Sequence, residues 1–376
     1  MYKQRFKLVA RLHRRDTIIK HMKRRDFITQ ASIVSAAMGL SAWDLASIEG
    51  INPSNFAKHL QPVGRALEME NYYVWCNSPI EGPDGKIHIF FSRWDANKGM
   101  SGWIKGSEIA YAVADSPEQP FQFVDVVLAP RPGYWDATTC HNPLITKVNG
   151  RYYLFYMGNS NGKTDTKRIG LAVADQLEGP WTRTDEPILL PGPAGAWDDH
   201  CTTNPAFLQK KNGECWLFYK SWNTADYQNA ANPTIRGNRK YGLAKAPHPE
   251  GPYTKVGENP VIDFSNKGNN AQFEDAFVWQ QGKKIMMIAR DMGVFSHEAG
   301  LIMDSKDGVH WSEPEIAYYG ADKYIKQPPA PKHLKRYGRF ERPQILFIKG
   351  KPAYLFTTSQ GGKYMTASAF IFRIKS

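Results

Sequence analysis

The sequence predicts an all-β protein, a five-bladed β-propeller behind an N-terminal export segment, and three observations carry that expectation. One β-rich pattern recurs five times along the chain, and repeats of this length point to radial or stacked architectures. Asn-Gly and Asp-Gly pairs separate strand-like runs within the repeats. The 31 Gly and 25 Pro favour a turn-rich chain over a helical one. Hydrophobic residues at 42% and charged residues at 22% sit near the globular average, which excludes wholesale disorder. Four Cys in 376 residues exclude a disulfide scaffold.

The first element is an address rather than a fold. Residues 1–50 hold ten Lys or Arg against four acidic residues, which is half of the +12 formal charge. After Met22 come Lys23-Arg24-Arg25-Asp26-Phe27-Ile28 and a weakly apolar run from Ile33 to Trp43. A twin-Arg stretch before a modest apolar run is the pattern of a Tat export signal. Met22 is then the expected start, with residues 1–21 an upstream extension, and the expected location is periplasmic or surface-attached after export by the Tat pathway. The competing reading is a basic amphipathic surface helix. The run is too short for a stable membrane span.

Residues 51–376 form the expected propeller. The first repeat opens with Asn77-Ser78-Pro79-Ile80, turns at Asp84-Gly85-Lys86 and continues as Ile87-His88-Ile89-Phe90-Phe91-Ser92. The second opens with His141-Asn142-Pro143-Leu144-Ile145, turns at Asn149-Gly150 and continues as Tyr152-Tyr153-Leu154-Phe155-Tyr156. The third opens with Thr203-Asn204-Pro205-Ala206-Phe207 and turns at Asn212-Gly213 into Cys215-Trp216-Leu217-Phe218-Tyr219. The fourth opens with Glu274-Asp275-Ala276-Phe277-Val278 and turns at Gln281-Gly282. The fifth opens with Glu341-Arg342-Pro343-Gln344-Ile345 and turns at Lys349-Gly350. Third strands follow at Ile109–Ala114, Ile169–Ala174, Tyr241–Ala244 and Gly300–Met303, and their Ala and Gly suit crowded places between sheets. The fifth repeat lacks a clear fourth strand, so residues 60–72 are expected to complete its sheet.

These openings, together with Asp84-Gly85-Lys86-Ile87-His88-Ile89-Phe90 and its echoes, resemble the family-43 glycoside hydrolases and their relatives in families 32 and 117. The resemblance covers roughly residues 70–370. It implies a glycosidase with carboxylates at the strand openings of the first, third and fourth blades, acting as base, pKa modulator and acid. On that pattern Glu274 is the general acid. Two positions depart: Ser78 stands where the first-blade Asp is expected, and Asn204 precedes Pro205 in the third blade. No base therefore transfers by motif.

The carboxylates near openings are Asp136 (after Trp135), Asp198 and Asp199 (after Trp197), Glu274, Asp275 and Glu341. Glycoside hydrolysis needs a pair of them, about 5–5.5 Å apart for retention and about 6.5–9.5 Å for inversion. Trp-Asp recurs in two equivalent loops, which also suits turn capping. Glu274 and Asp275 are adjacent on a presumed strand, so alternation lets only one face the funnel. Arg342 suits a carboxylate or sulfate on a sugar, or an internal pair with Glu341. His141, His200 and, more weakly, His297 are candidate substrate contacts, while a lone His is more often packed. Trp75 and Trp135 are candidate stacking platforms. Cys76, Cys140 and Cys201 lie at similar depths, yet no tight ligand spacing supports a metal; no cofactor is expected beyond room for a structural calcium. The insertions 223–239 and 321–340 carry the basic residues Arg236, Arg239, Lys323, Lys326, Lys332, Lys335, Arg336 and Arg339. They read as solvated loops or as a clamp for an acidic glycan.

The expected function is an exported hydrolase acting on chain ends of oligosaccharides from an anionic plant or algal polysaccharide. Glu274 or Asp275 is the acid, and Asp136, Asp199 or Glu341 the base. A polysaccharide lyase and a non-catalytic glycan-binding propeller are the alternatives. Nucleic acid is an unsuited partner, since export and the lack of any nucleic-acid module oppose it.

Overall fold

The computed structural model describes residues 53–229, 231–265 and 272–375. The expected export segment at 1–50 lies outside them. Among the described residues, twenty strands run in chain order. The first sheet-building meander is β2 (Tyr72–Glu81), β3 (Ile87–Asp95), β4 (Glu108–Ala114) and β5 (Gln122–Leu128). Next come β6 (Thr139–Val148), β7 (Arg151–Asn159), β8 (Arg168–Ala174) and β9 (Thr182–Arg183). A third group is β10 (Thr203–Gln209), β11 (Cys215–Ser221), β12 (Lys240–Ala246) and β13 (Thr254–Lys255). The fourth is β14 (Gln272–Gln281), β15 (Lys284–Met292), β16 (Gly300–Ser305) and β17 (Glu315–Tyr318). The last joins β18 (Glu341–Ile348), β19 (Lys351–Gly361) and β20 (Thr366–Ile374) to β1 (Leu60–Ala66).

Three of these groups are separate four-stranded sheets, and the first and last share one eight-stranded sheet. The junction is a single parallel pair, Tyr73 with Ala367. Strand β1 pairs antiparallel with β20 from Leu60–Ile374 to Ala66–Ala369, so the first and last described strands share one sheet, as the sequence predicts. Turn chemistry explains the hairpins. Asn149 and Gly150 (φ 49° and 89°) and Lys349 and Gly350 (φ 50° and 73°) both take the paired positive φ of a type I′ turn, whose twist matches the strands it joins.

Hydrophobic clusters fill each space between neighbouring sheets. Phe90 and Tyr111 meet Leu154 and Tyr156; Phe155 and Leu171 meet Phe207 and Leu217. Phe218 and Leu243 meet Val278 and Met287, Trp279 and Ile288 meet Leu355 and Phe370, and Ile89 and Phe91 meet Leu346 and Phe356. Two of the third-strand glycines leave room for aromatic rings that pack on their own sheets. A Cβ on Gly242 would lie 2.6 Å from the Tyr219 ring, and one on Gly170 would lie 2.3 Å from Trp135.

The first strands touch in sequence, β2 to β6 to β10 to β14 to β18 and back to β2. Each carries a register shift at its opening, and one residue there is left-handed: Cys76, Asn142, Asn204, Asp275 and Arg342, with φ between 51° and 63°. Such backbone costs on the order of 1–3 kcal/mol per residue, and persists only where its surroundings hold it. Here they hold one another. Cys76 Sγ donates to Asn142 Oδ1 (2.8 Å), Asn142 Nδ2 to Asn204 Oδ1 (2.8 Å), and Asn204 Nδ2 to Asp275 Oδ1 (2.7 Å). Arg342 Nη1 donates to the same Asp275 oxygen at 3.1 Å, so a chain of polar contacts links all five openings.

Candidate active site

A cleft of about 260 Å³ lies over these five openings, lined by Trp75, Trp103, His141, Lys167, Lys220 and Trp222, with Arg239, Glu274, Asp275, Arg336, Glu341 and Arg342. The bulge at β14 changes what the sequence predicts for its acidic pair. Strand alternation would send Glu274 and Asp275 to opposite faces, but the left-handed turn at Asp275 brings both to the cleft.

The three carboxylates there have different surroundings. Asp275 is taken up by Asn204 and by both the side chain and the backbone N–H of Arg342. Glu274 Oε1 accepts from Lys220 Nζ at 2.7 Å, and its Oε2 lies 3.4 Å from Arg290 Nη1. Burial alone would raise the Glu274 pKa, but Lys220 and Arg290, with Arg239 behind them, outweigh it and hold the carboxyl well below the usual range. Glu341 Oε2 lies 3.1 Å from the same Arg290 nitrogen and 3.4 Å from Arg336 Nη1, while its Oε1 is buried without a partner. Because one nitrogen of Arg290 touches both glutamates, their Oε2 atoms are separated by no more than 3.1 plus 3.4 Å.

Lys220 and Arg290 thus favour the ionised form of Glu274. The expected general acid needs the protonated form, whereas Lys220 and Arg290, not legible around it in the sequence, favour the ionised one. The register also moves two assignments. The residue of the first opening equivalent to Asn142, Asn204, Asp275 and Arg342 is Cys76 rather than Ser78, whose hydroxyl instead joins Gln344 Oε1 and the Ile145 N–H. In the fourth opening the equivalent residue is Asp275 rather than Glu274.

Asp136 and Asp199, expected near the site, do not line the cleft. Asp136 is wholly buried, held by Arg131, Arg183 and the Tyr156 hydroxyl (2.8 Å). Trp135 stacks on that tyrosine at 5.4 Å. Asp198 repeats the clasp one sheet later, with the Tyr219 hydroxyl at 2.9 Å and Trp197 stacked on Tyr219. The recurring Trp-Asp pairs therefore pin loops to sheets. Asp199 accepts the backbone N–H groups of Gly195 and Thr224; burial pushes its pKa up, but those donors outweigh it and hold it low.

Of the expected sugar contacts, Trp75, His141 and Arg342 line the cleft, while Trp135, His200 and His297 do not. His141 Nδ1 is 2.9 Å from Ser107 Oγ, and burial, with Arg342 and Lys167 nearby, pushes its pKa well down, so the ring is neutral. His200 sits behind the wall, stacked on Trp222 at 5.1 Å and bonded to Thr164 Oγ1 at 2.9 Å, its pKa pushed down by burial to about 4. Each insertion sends one basic residue to the cleft, Arg239 and Arg336, whereas Lys323, Lys326, Lys332 and Lys335 are exposed elsewhere. Lys167, Lys220, Trp103 and Trp222 were not legible as site residues. Around the cleft stand Lys167, Lys220, Arg239, Arg290, Arg336 and Arg342 against Glu274, Asp275 and Glu341, six basic side chains to three carboxyls. Among the described residues no group of three or more His, Cys, Asp or Glu could hold a metal ion, and no helix is long and apolar enough to cross a membrane. Cys76 and Cys140 have separate surroundings: Cys76 faces Asn142, while Cys140 lies by Asp136 and Arg183.

Comparison with known proteins agrees with this fold. Residues 124–239 match the family described as Glycosyl hydrolases family 43. A family 117 glycoside hydrolase of the marine bacterium Zobellia galactanivorans superposes with a TM-score of 0.57 at 20% identity, covering 84% of this chain and 89% of that one. An endo-arabinase from Bacteroides thetaiotaomicron gives 0.54 at 14% identity, covering 84% and 96%. A structure described as a glycoside hydrolase gives 0.64 at 16%, covering 84% and 91%. No curated protein sequence matches the chain. The resemblance to families 43 and 117 thus extends from strand openings to the whole all-β architecture.

Proposed function

We propose that this chain is an exported glycoside hydrolase on a closed five-bladed propeller, acting from the ends of oligosaccharides derived from an anionic plant or algal polysaccharide. The observation that carries the reading is the glutamate pair at the cleft floor, Glu274 and Glu341, bridged by one nitrogen of Arg290. Two carboxylates that close can flank a single glycosidic bond. Glu341, with one oxygen unpaired, is the group that transfers a proton to or from the scissile oxygen or water. Glu274 stays ionised and stabilises the positive charge that develops on the sugar ring. Ring closure is supported by the circle of contacts among first strands and by a core cluster in each gap. An end-on mode of action is supported by the small cleft volume. The anionic substrate is supported by its surplus of basic side chains, and export by the twin-Arg segment.

Product analysis on acidic oligosaccharides tests the activity. A plain reducing sugar is expected. A product with new ultraviolet absorbance from an unsaturated uronate would make the chain a lyase, a reading that the non-acidic Cys76 at the first opening favours. Binding without any product would make it a glycan-binding propeller.

A further inference from the structure

Three cations at the cleft wall are more than the glutamate pair requires. Lys167 precedes β8, Lys220 lies in β11, and Arg239 ends the 223–239 insertion. All three gather on one indole: the Arg239 guanidinium is 3.9 Å from the Trp222 ring centroid, Lys167 Nζ 4.4 Å and Lys220 Nζ 5.9 Å. Of the three, Lys220 alone forms an ion pair with Glu274 among the described residues. Arg239 Nη1 is held by the carbonyls of Arg236 and Asn238 at 3.1 and 3.2 Å, which aims its guanidinium without neutralising it. Among the described residues no carboxylate forms an ion pair with Lys167 or Arg239, and Trp222 Nε1, on a residue 2% exposed, has no partner.

Gathering like charges out of water is costly unless a counter-charge arrives. The protein supplies one carboxylate for three cations, so the remaining counter-charge is sought in the ligand. We propose that Lys167, Lys220 and Arg239 form a subsite for an anionic substituent, a carboxylate or a sulfate ester, on the sugar bound in the cleft. This rests on the glycan reading above and names the residues that select for charge. The guanidinium fork suits either oxyanion in two-pronged fashion, the lysines act as point charges, and the Trp222 N–H offers a further donor. Because Arg239 comes from an insertion, the subsite belongs to this chain's own loop and not to the repeated strand pattern.

Lys167 supplies a signature. Burial lowers its pKa from 10.5 to about 7, with Lys220 and Arg239 pushing the same way against Cys201 and Glu274; His200 and His141 face it as neutral rings. A bound anion favours the charged lysine, so binding takes up protons between pH 7 and 9.

The test is calorimetric titration of the full chain with galacturonate, galactose 6-sulfate, inorganic sulfate and galactose, in two buffers of different ionisation enthalpy. One acidic sugar should bind at least tenfold tighter than galactose and with proton uptake, the two sugars deciding between carboxylate and sulfate. Lys167→Met and Arg239→Gln should each weaken that sugar by roughly 10- to 100-fold while leaving galactose unchanged, the range for a charge-assisted hydrogen bond. Equal binding of acidic and neutral sugars, binding of inorganic sulfate alone, or a preference that survives both substitutions would overturn the subsite. If the preference holds while no glycan is cleaved, the subsite stands and the hydrolase reading falls. If an acidic glycan is hydrolysed equally by wild type and both variants, the hydrolase stands and the subsite falls.

Discussion

Replacing Lys167 by methionine should stabilise the fold, most strongly below pH 7. The lysine is 3% exposed, and burial takes its pKa from 10.5 to about 7. A gap of that size corresponds to about 5 kcal/mol of disfavoured charge, at about 1.4 kcal/mol per pKa unit. Contact with the Trp222 ring returns about half of this, since a desolvated cation–π pair contributes on the order of 2 kcal/mol. Methionine keeps the apolar stem's packing, so the expected net gain at pH 6 is about 2–3 kcal/mol. The sign follows from proton counts. Between pH 7 and 10.5 the unfolded chain holds a proton on Lys167 that the folded chain has released, so wild-type stability rises with pH across that window. The advantage of the variant must shrink over the same range. Urea unfolding of both proteins at pH 6 and pH 9.5 measures it. A variant less stable at pH 6, or an advantage equal at both pH values, would refute the account of a buried lysine held against its own charge.

Three further outcomes test other parts of the structure. Gly242→Ala places a Cβ 2.6 Å from the Tyr219 ring and should cost about 1–3 kcal/mol by overpacking, read as a lower urea midpoint with an unchanged slope. Asp136→Asn breaks a buried clasp to two arginines and Tyr156 and should cost about 3–5 kcal/mol. Its turnover per folded molecule should remain within a fewfold of wild type, because Asp136 lies outside the cleft. His200, neutral in the fold with its pKa lowered from 6.5 to about 4, makes stability fall as pH drops through that interval. His200→Gln should flatten the curve there, as followed by thermal unfolding at pH 4 to 7.

How far the sequence reached can be traced residue by residue. The paired strands and type I′ turns are local, and Asn149-Gly150 announces its hairpin without help from the rest of the chain. The closing of the last sheet by β1 was legible because the fifth repeat runs short of strands. Glu341, Arg342, His141 and Trp75 were legible because the openings repeat, and whatever recurs at an opening converges with its equivalents. What failed was strand alternation at Glu274 and Asp275, where each opening carries a left-handed bulge that turns two neighbours the same way. The Asn and Pro at several openings were the available signal for it. Lys167 and Lys220 were not legible, since they look like the solvent-facing residues of ordinary strand ends. Only the convergence of separate sheets places them on Trp222 and Glu274.

The central claim is that bond cleavage takes place at the Glu274–Glu341 pair. Its most direct test is the turnover of an acidic oligosaccharide by Glu341→Gln and Glu274→Gln, with Asp136→Asn as the control outside the cleft and folded protein verified for each. The account predicts a loss of about a hundredfold or more for each glutamine variant, the scale of a missing proton-transfer or charge-stabilising group, and near-normal turnover for the control. Undiminished turnover in both glutamine variants, or an equal loss in all three, would contradict it.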